Sequence, residues 1–320
     1  LDFENIMSKV RAYTNIALIK YWGKSDLNWN LPTSSSIGLT LDRFYTETAV
    51  EIDQFLKKDY FQLNGKQIEG PRISKIINFI RNLSGNENFV KVISENHVPT
   101  SAGLASSASA FAALAKAASQ AFDLELDDRE LSKIARIGSG SASRSIFGGF
   151  SIWHKGQNNN DSFAESILNP VDFDIRVIDI LADKRIKKIS SSEGMQLAQT
   201  SLNYSDWLKK NDNQISEMLR AISDHDLEKI GLIAEDNSLS MHELNRTAKI
   251  PFDYFTDNTR QIIAKVNELY RKGTLAFATV DAGPNVKVIT NSEYQEKIIN
   301  SLKDYGEILI QRPGRGISNV

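Results

Sequence analysis

The chain is predicted to be an α+β protein of two domains, and three observations carry that prediction. The first half alternates strand-like and helix-like patterning. The second half runs through several amphipathic helices and closes with short strands. At 320 residues with 41% hydrophobic content, the chain is long enough to bury two modest cores at about 150 residues each.

The elements follow in order. Over 45–53, Thr46, Thr48, Val50 and Ile52 alternate with Glu47 and Glu51, the period of a half-buried strand. Ile73, Ile76, Ile77 and Ile80 recur at helical spacing. Residues 89–94 read as a strand leading into a small-residue loop, and 106–122 as a helix dense in alanine. Asp127 and Glu130 form a capping-box pattern that opens a helix ending at Gly138. In the second half, periodicity places helices at about 194–210, 213–223, 225–245 and 257–272, the last stopped by Gly273. Strands are expected over about 274–280 and 285–290, then a helix capped by Ser292 with Gln295, then a strand over 306–311. The polar run 183–188 interrupts apolar patterning, so the expected domains are 7–185 and 186–320, with Met7 as the expected natural start and no signal peptide before it.

Composition excludes several functions. The 38 basic and 40 acidic residues nearly cancel and form no block of like charge, and no basic stripe with interleaved aromatics occurs. Nucleic-acid and acidic-membrane partners are therefore not expected. The chain has no cysteine, so disulfides and thiolate metal sites are excluded. No apolar run approaches the roughly 18 residues that span a bilayer, and a cytoplasmic location is expected. The four histidines show no metal-ligand spacing and no arrangement suggesting a serine–histidine–acid triad.

Four segments carry chemistry. Pro99-Thr-Ser-Ala-Gly-Leu-Ala-Ser-Ser107 puts a glycine and tandem serines directly before a long helix. The free N–H groups and positive dipole end of such a helix bind anions, Gly103 permits close backbone approach, and Ser106 and Ser107 add hydroxyl donors. Taken alone, the run is equally a small-residue turn capping a packed helix. Asn15-Ile-Ala-Leu-Ile-Lys-Tyr-Trp-Gly-Lys24 gathers Lys20, Tyr21 and Lys24 at a turn, the donors a phosphate tail would use; the alternative is an ordinary strand with surface lysines. Gly138-Ser-Gly-Ser-Ala-Ser-Arg144 repeats the glycine-spaced hydroxyls and ends on an arginine able to clamp a carboxylate or phosphate bidentately. Asp281 ends an apolar run before Ala-Gly-Pro284, which would orient and partly desolvate its carboxylate unless it serves only as an Asx turn.

Together with Leu31-Pro-Thr-Ser-Ser-Ser36 and Asp281-Ala-Gly-Pro-Asn-Val-Lys287, these blocks resemble, in kind and order, the mevalonate diphosphate decarboxylase family of the GHMP kinase superfamily, bacterial type, over about residues 9–290. The resemblance implies the GHMP kinase fold: an N-terminal domain like ribosomal protein S5 domain 2, a ferredoxin-like GHMP C-terminal domain and an ATP cleft between them. It implies conversion of mevalonate 5-diphosphate and ATP to isopentenyl diphosphate, ADP, phosphate and carbon dioxide, with Mg²⁺ and as a homodimer. By the same resemblance Asp281, Arg144 and Lys20 are catalytic. Tyr21, Trp22, Gly23, Lys24, Arg72, Ser139, Gly140, Ser141, Arg144, Ser191 and Ser192 hold the substrate. ATP falls to Ser94, Gly103, Leu104, Ala105, Ser106 and Ser107. One departure is Ser192, which stands where many bacterial members carry arginine and other branches a hydroxyl residue; it leaves open which phosphorylated mevalonate is used. A small-molecule kinase that does not decarboxylate, a monophosphate-specific decarboxylase and a non-catalytic binding protein are the alternatives on this fold.

Overall fold

The computed structural model describes residues 9–98, 106–183 and 188–320. Eight strands make the first sheet: β1 (Lys9–Ile19), β4 (Ser36–Ile52), β5 (Tyr60–Leu63), β6 (Lys66–Gln67), β7 (Val90–His97), β8 (Phe150–Trp153), β9 (Ala164–Leu168) and β14 (Ser318–Asn319), with β2 (Lys24–Asp26) and β3 (Leu31–Pro32) as a separate small ribbon. The order is β14-β1-β4-β7-β5-β6, and β8 with β9 adds to the other end of the long β4. Helices α1 (Pro71–Ser84), α2 (Ser106–Ala121) and α3 (Asp128–Gly138) cover one face. Ile76, Ile77 and Ile80 of α1, Phe111 and Leu114 of α2 and Ile134 of α3 bury against Val10, Val90 and Val92 there.

The second sheet is fully antiparallel, in the order β11 (Phe277–Val280), β12 (Val286–Thr290), β10 (Arg176–Leu181), β13 (Glu307–Gln311). It takes its first strand, β10, from ahead of the polar run at 183–188, and β14 returns the chain end to β1. Four helices, α4 (Ser191–Ala198), α5 (Tyr204–Ser223), α6 (Leu227–Arg246) and α7 (Asp257–Arg271), precede β11, and α8 (Gln295–Leu302) follows β12. Met218, Ile222, Ile230 and Ile233 of α5 and α6 pack against Ile16, Leu18 and Leu39 of the first sheet, so one continuous core joins the two halves.

Several expectations need correcting. No helix spans 194–210: α4 ends at Ala198, where the Thr200 hydroxyl donates to Leu197 O at 2.6 Å and Ser201 bonds Thr247. Such hydroxyl bonds compete with the helical backbone. Conversely α5 runs unbroken through Asn211-Asp-Asn213, because Asn211 is buried and donates to Ser35 O at 3.0 Å. Ser292 caps no helix; its N–H and hydroxyl both donate to Asp174, and α8 begins at Gln295. Asp127 does accept the Glu130 N–H at 2.8 Å, but the Glu130 side chain turns to Lys133 instead of completing the box. The alternating strand at 45–53 is the outer half of the 17-residue β4, whose inner half is buried on both faces and so lacks the period-2 signal.

Candidate active site

A cavity of about 540 Å³ opens where β1, the turn at 138–144, the start of α4 and the end of β11 converge. Lys20, Lys24, Arg72 and Arg144 line it against a single carboxylate, Asp281. Four cations around one anion in a concave site favour a polyanionic ligand.

Asp281 sits at the end of β11, whose last residue, Val280, is pinned by the Ser238 hydroxyl through both its N–H (2.8 Å) and its carbonyl (3.0 Å). Lys20 Nζ donates to Asp281 Oδ1 at 2.8 Å and to Ala17 O at 2.8 Å, while Lys287 Nζ lies 3.1 Å from Oδ2. Removal from bulk water would raise the Asp281 pKa, but Lys20 and then Lys287 outweigh it and hold the carboxyl well below its usual range. Burial draws Lys20 downward, an effect that Asp281 offsets in part. Burial opposes charge on Lys287 too, yet Asp281 and Asp179 outweigh it and raise its pKa. The Asp281 side chain keeps 37% exposure while both lysine side chains are below 10%, so the anion is the most open member of the trio.

Arg144 lies in the 3₁₀ turn Gly140–Ile146 and is 2% exposed. Its Nε donates to Asn15 Oδ1 at 3.1 Å and its Nη1 to Ser36 Oγ at 2.5 Å; Asn15 in turn bonds Ser145 and Ser141 O. Burial pulls the guanidinium down to about 10, so it stays charged at neutral pH. Its approach depends on Gly38 of β4, where a methyl group would lie 2.6 Å from Arg144 Nε and 2.8 Å from Ile16 O. Gly38→Ala is therefore expected to displace Arg144 and cost about 1–3 kcal/mol of stability, seen as a lowered melting temperature together with reduced turnover. An unchanged melting temperature and rate would show that the arginine has room to move.

The other residues expected to hold substrate, Gly23 excepted, line the same cavity. Tyr21 stacks edge-on against Trp153, and its buried hydroxyl has no protein partner. Trp22 Nε1 donates to Asn245 Oδ1 at 2.9 Å. Lys24 Nζ donates to Asn30 Oδ1 at 2.8 Å and to Ser192 Oγ at 3.2 Å, and burial, then repulsion from Arg72 and Lys75, lowers its pKa, a tension that a bound anion relieves. Arg72 lies over the Phe111 ring. Ser139 bonds the hydroxyls of Ser107 (3.2 Å) and Ser141 (3.3 Å), and Gly140 and Ser191 complete the wall. Gly23 lines neither this cavity nor its neighbour. It adopts φ +148, where a side chain would meet Thr33 and Tyr204, so its role is to let the chain turn.

A second cavity of about 380 Å³ lies between α1, β7 and α2, lined by Ser94, Ser106, Ser107, Phe111 and Leu114 among others. Ser107 and Arg72 line both cavities, which therefore adjoin. Gly103, Leu104 and Ala105 lie outside the described residues. Asn15, Lys287 and Gly38 were not singled out from the sequence. For Lys287 a signal existed: a lysine within an apolar strand needs a buried counter-charge. Elsewhere Glu47, Glu95 and His97 approach one another on the outer sheet face, but Arg11 already occupies Glu47 and Lys9 lies 3.5 Å from Glu95.

The chain is similar along most of its length to known proteins of one family. Residues 12–164 match the diphosphomevalonate decarboxylase-like N-terminal domain, and residues 177–311 the mevalonate 5-diphosphate decarboxylase C-terminal domain. The diphosphomevalonate decarboxylase of Candida albicans is 35% identical over 98% of this chain and 94% of its own length, and that of Danio rerio 34% over 94% and 82%. Among solved structures, mevalonate diphosphate decarboxylase from Staphylococcus aureus superposes with a TM-score of 0.94 at 41% identity, covering 98% and 97% of the two chains. The complex of MDDEF with MVAPP, AMPPCP and magnesium gives 0.93 at 41%, covering 98% of each. Two family models spanning most of the sequence and relatives above 30% identity over nearly all of it establish that the chain belongs to the diphosphomevalonate decarboxylase family.

Proposed function

We propose that the two adjoining cavities carry out the ATP-dependent decarboxylation of mevalonate 5-diphosphate, with Asp281 facing the C3 hydroxyl and Arg144 the C1 carboxylate. The observation that carries this reading is the pairing in one cavity of a carboxylate held ionised by two lysines with an arginine anchored by Asn15 and Ser36. A carboxylate that accepts a hydrogen bond directs the hydroxyl oxygen, and a guanidinium aligns an acid group; a simple kinase needs only the first of these.

In this reading the diphosphate tail lies against Lys24, Arg72, Tyr21 and the serines at 139, 141, 191 and 192. Ser192 already bonds Lys24, so it contributes a hydroxyl to the same anion site. ATP occupies the second cavity with its phosphates at the start of α2, beside Ser106 and Ser107. The serine hydroxyls there are hard oxygen donors that suit Mg²⁺, which would be held mainly by ATP phosphate oxygens and, when bound, neutralises charge on the transferring group.

The chemistry then needs little from the protein beyond position. Asp281 accepts the hydrogen bond of the C3 hydroxyl. Because its pKa is depressed, it takes the proton only as the new O–P bond forms and the oxygen becomes acidic. The γ-phosphoryl group joins O3 and ADP leaves. The C3–O bond then breaks with loss of phosphate, the C1–C2 electron pair becomes the C2=C3 double bond, and carbon dioxide departs. Arg144 keeps the carboxylate aligned, and its anchoring by Asn15 and Ser36 limits how tightly it can follow the acid group and so resist its loss.

Supplying ATP with mevalonate 5-diphosphate or 5-phosphate and following ADP and carbon dioxide together tests the assignment. Equal yields of both products from the diphosphate are expected. ADP without carbon dioxide would make the protein a kinase, and preference for the monophosphate would reassign the tail site. Ser107→Ala is expected to weaken nucleotide affinity roughly 10- to 100-fold through loss of one charge-assisted hydrogen bond, with a smaller effect on mevalonate 5-diphosphate, by calorimetry. The reverse order of effects would exchange the two sites. A cytoplasmic homodimer belongs to the same proposal, supported by family likeness; among the described residues no helix is long and apolar enough to cross a membrane.

A further inference from the structure

Behind the Asp281–lysine trio, the second sheet buries a second carboxylate. Thr279, Lys287 and Asp179 are register partners in one row across β11, β12 and β10, each below 10% exposed. Gln311 Nε2 of β13 donates to Asp179 Oδ2. Asp179 Oδ1, Thr279 Oγ1 and Gln311 Oε1 are all buried with no protein partner. The row's neighbours Val177 and Leu181 on the same strand face are apolar, and a valine or leucine at 179 would pack there without the desolvation cost of a carboxylate.

Charge balance supplies a reason for the acid. Lys20 and Lys287 place two ammonium groups beside the single carboxylate of Asp281, and Asp179, the register partner of Lys287 on β10, supplies a second negative charge that acts on Lys287 through space without a direct ion pair. We propose that Asp179 is a positioning residue for the reaction: its buried charge attracts its register partner Lys287 across the strand pairing, so that Asp281 keeps both cations and presents an ionised, fixed carboxylate to the substrate. This rests on the reading of Asp281 as the group facing the C3 hydroxyl.

The groups that face Asp179 are Lys287 from β12, Gln311 from β13, Asp281 beyond β11 and Arg43 from β4. Burial pushes its carboxyl up to about 6, against the pull of Lys287 and the Gln311 hydrogen bond. Below that pH Asp179 takes up a proton and its attraction for Lys287 is lost; above it the attraction is present.

The test is Asp179→Asn, with kcat and KM measured from pH 5 to 8 beside wild type. Substrate phosphates titrate in the same range in both proteins, so the reading is the ratio of the two rates. The expected kcat deficit is about tenfold at pH 7.5, with KM for ATP little changed, narrowing toward unity below pH 6. In a Lys287→Met background the Asp179→Asn change should have no further effect on kcat. A ratio constant with pH, or equal losses in both backgrounds, would reduce Asp179 to a structural residue and overturn the proposal. If Asp179→Asn does not fold, Gln311→Leu serves instead. Loss of its hydrogen bond should move the acid limb of kcat upward, and an unmoved limb overturns the proposal. A product ratio other than one ADP per carbon dioxide in wild type would instead strike the underlying reading of the site.

Discussion

Asp281→Asn is expected to bind mevalonate 5-diphosphate and ATP yet lose about 10²- to 10⁴-fold in turnover, the usual worth of a positioned base. The amide keeps the shape of the carboxylate but cannot take the hydroxyl proton, and it offers an NH₂ group where one of the two lysines now donates. Its electrostatic signature separates it from simple damage. Removing the single anion from a cavity lined by four cationic side chains makes the site more positive, so affinity for the diphosphate should hold or rise while turnover collapses. Calorimetric affinity, single-turnover release of ADP and a melting curve measured together decide the matter. Near-normal turnover would remove Asp281 from the reaction. A loss of affinity matching the loss of rate would make it a binding residue.

Arg144→Lys should fall about 10²-fold in turnover, the scale expected when a reacting group is misplaced by about an ångström, with a much smaller loss of affinity. The ammonium keeps the charge but cannot bond Asn15 and Ser36 while presenting a planar two-donor edge to a carboxylate. Phosphoryl transfer depends on hydroxyl placement and loss of carbon dioxide on carboxylate alignment. The variant should therefore form ADP in excess over carbon dioxide. A wild-type ratio and rate would show that the planar edge is not needed, and a defect confined to ATP affinity would place Arg144 on the nucleotide side.

Much of this site was legible because its chemistry is written in short local clusters. Lys20, Tyr21 and Lys24 fall within five residues, and Ser139, Ser141 and Arg144 within six. A turn keeps such neighbours together whatever the rest of the fold does. The alanine-rich helix and its serines, α1 with its isoleucine face and the Asp127 cap were readable for the same reason, since each signal lies within one element. The strands of the joined core were not. The inner halves of β1 and β4 are buried on both faces, so they carry no alternation to distinguish them from a helix segment.

The sequence by itself determined the family, the cationic and hydroxyl groups available to an anion, and Asp281 as the acid among them. The tertiary structure decided what state those groups are in. Lys287 reaches Asp281 only through the β11–β12 pairing, and Asp179 is set opposite Lys287 only by the β10–β12 register, more than a hundred residues away in sequence. Gly38 and Asn15 matter because two adjacent strands leave room for, and hydrogen-bond, an arginine from a distant turn. Charge, burial and hydrogen bonding act through distances in space. A motif records which groups are present, and only the packed sheets fix which of them face one another.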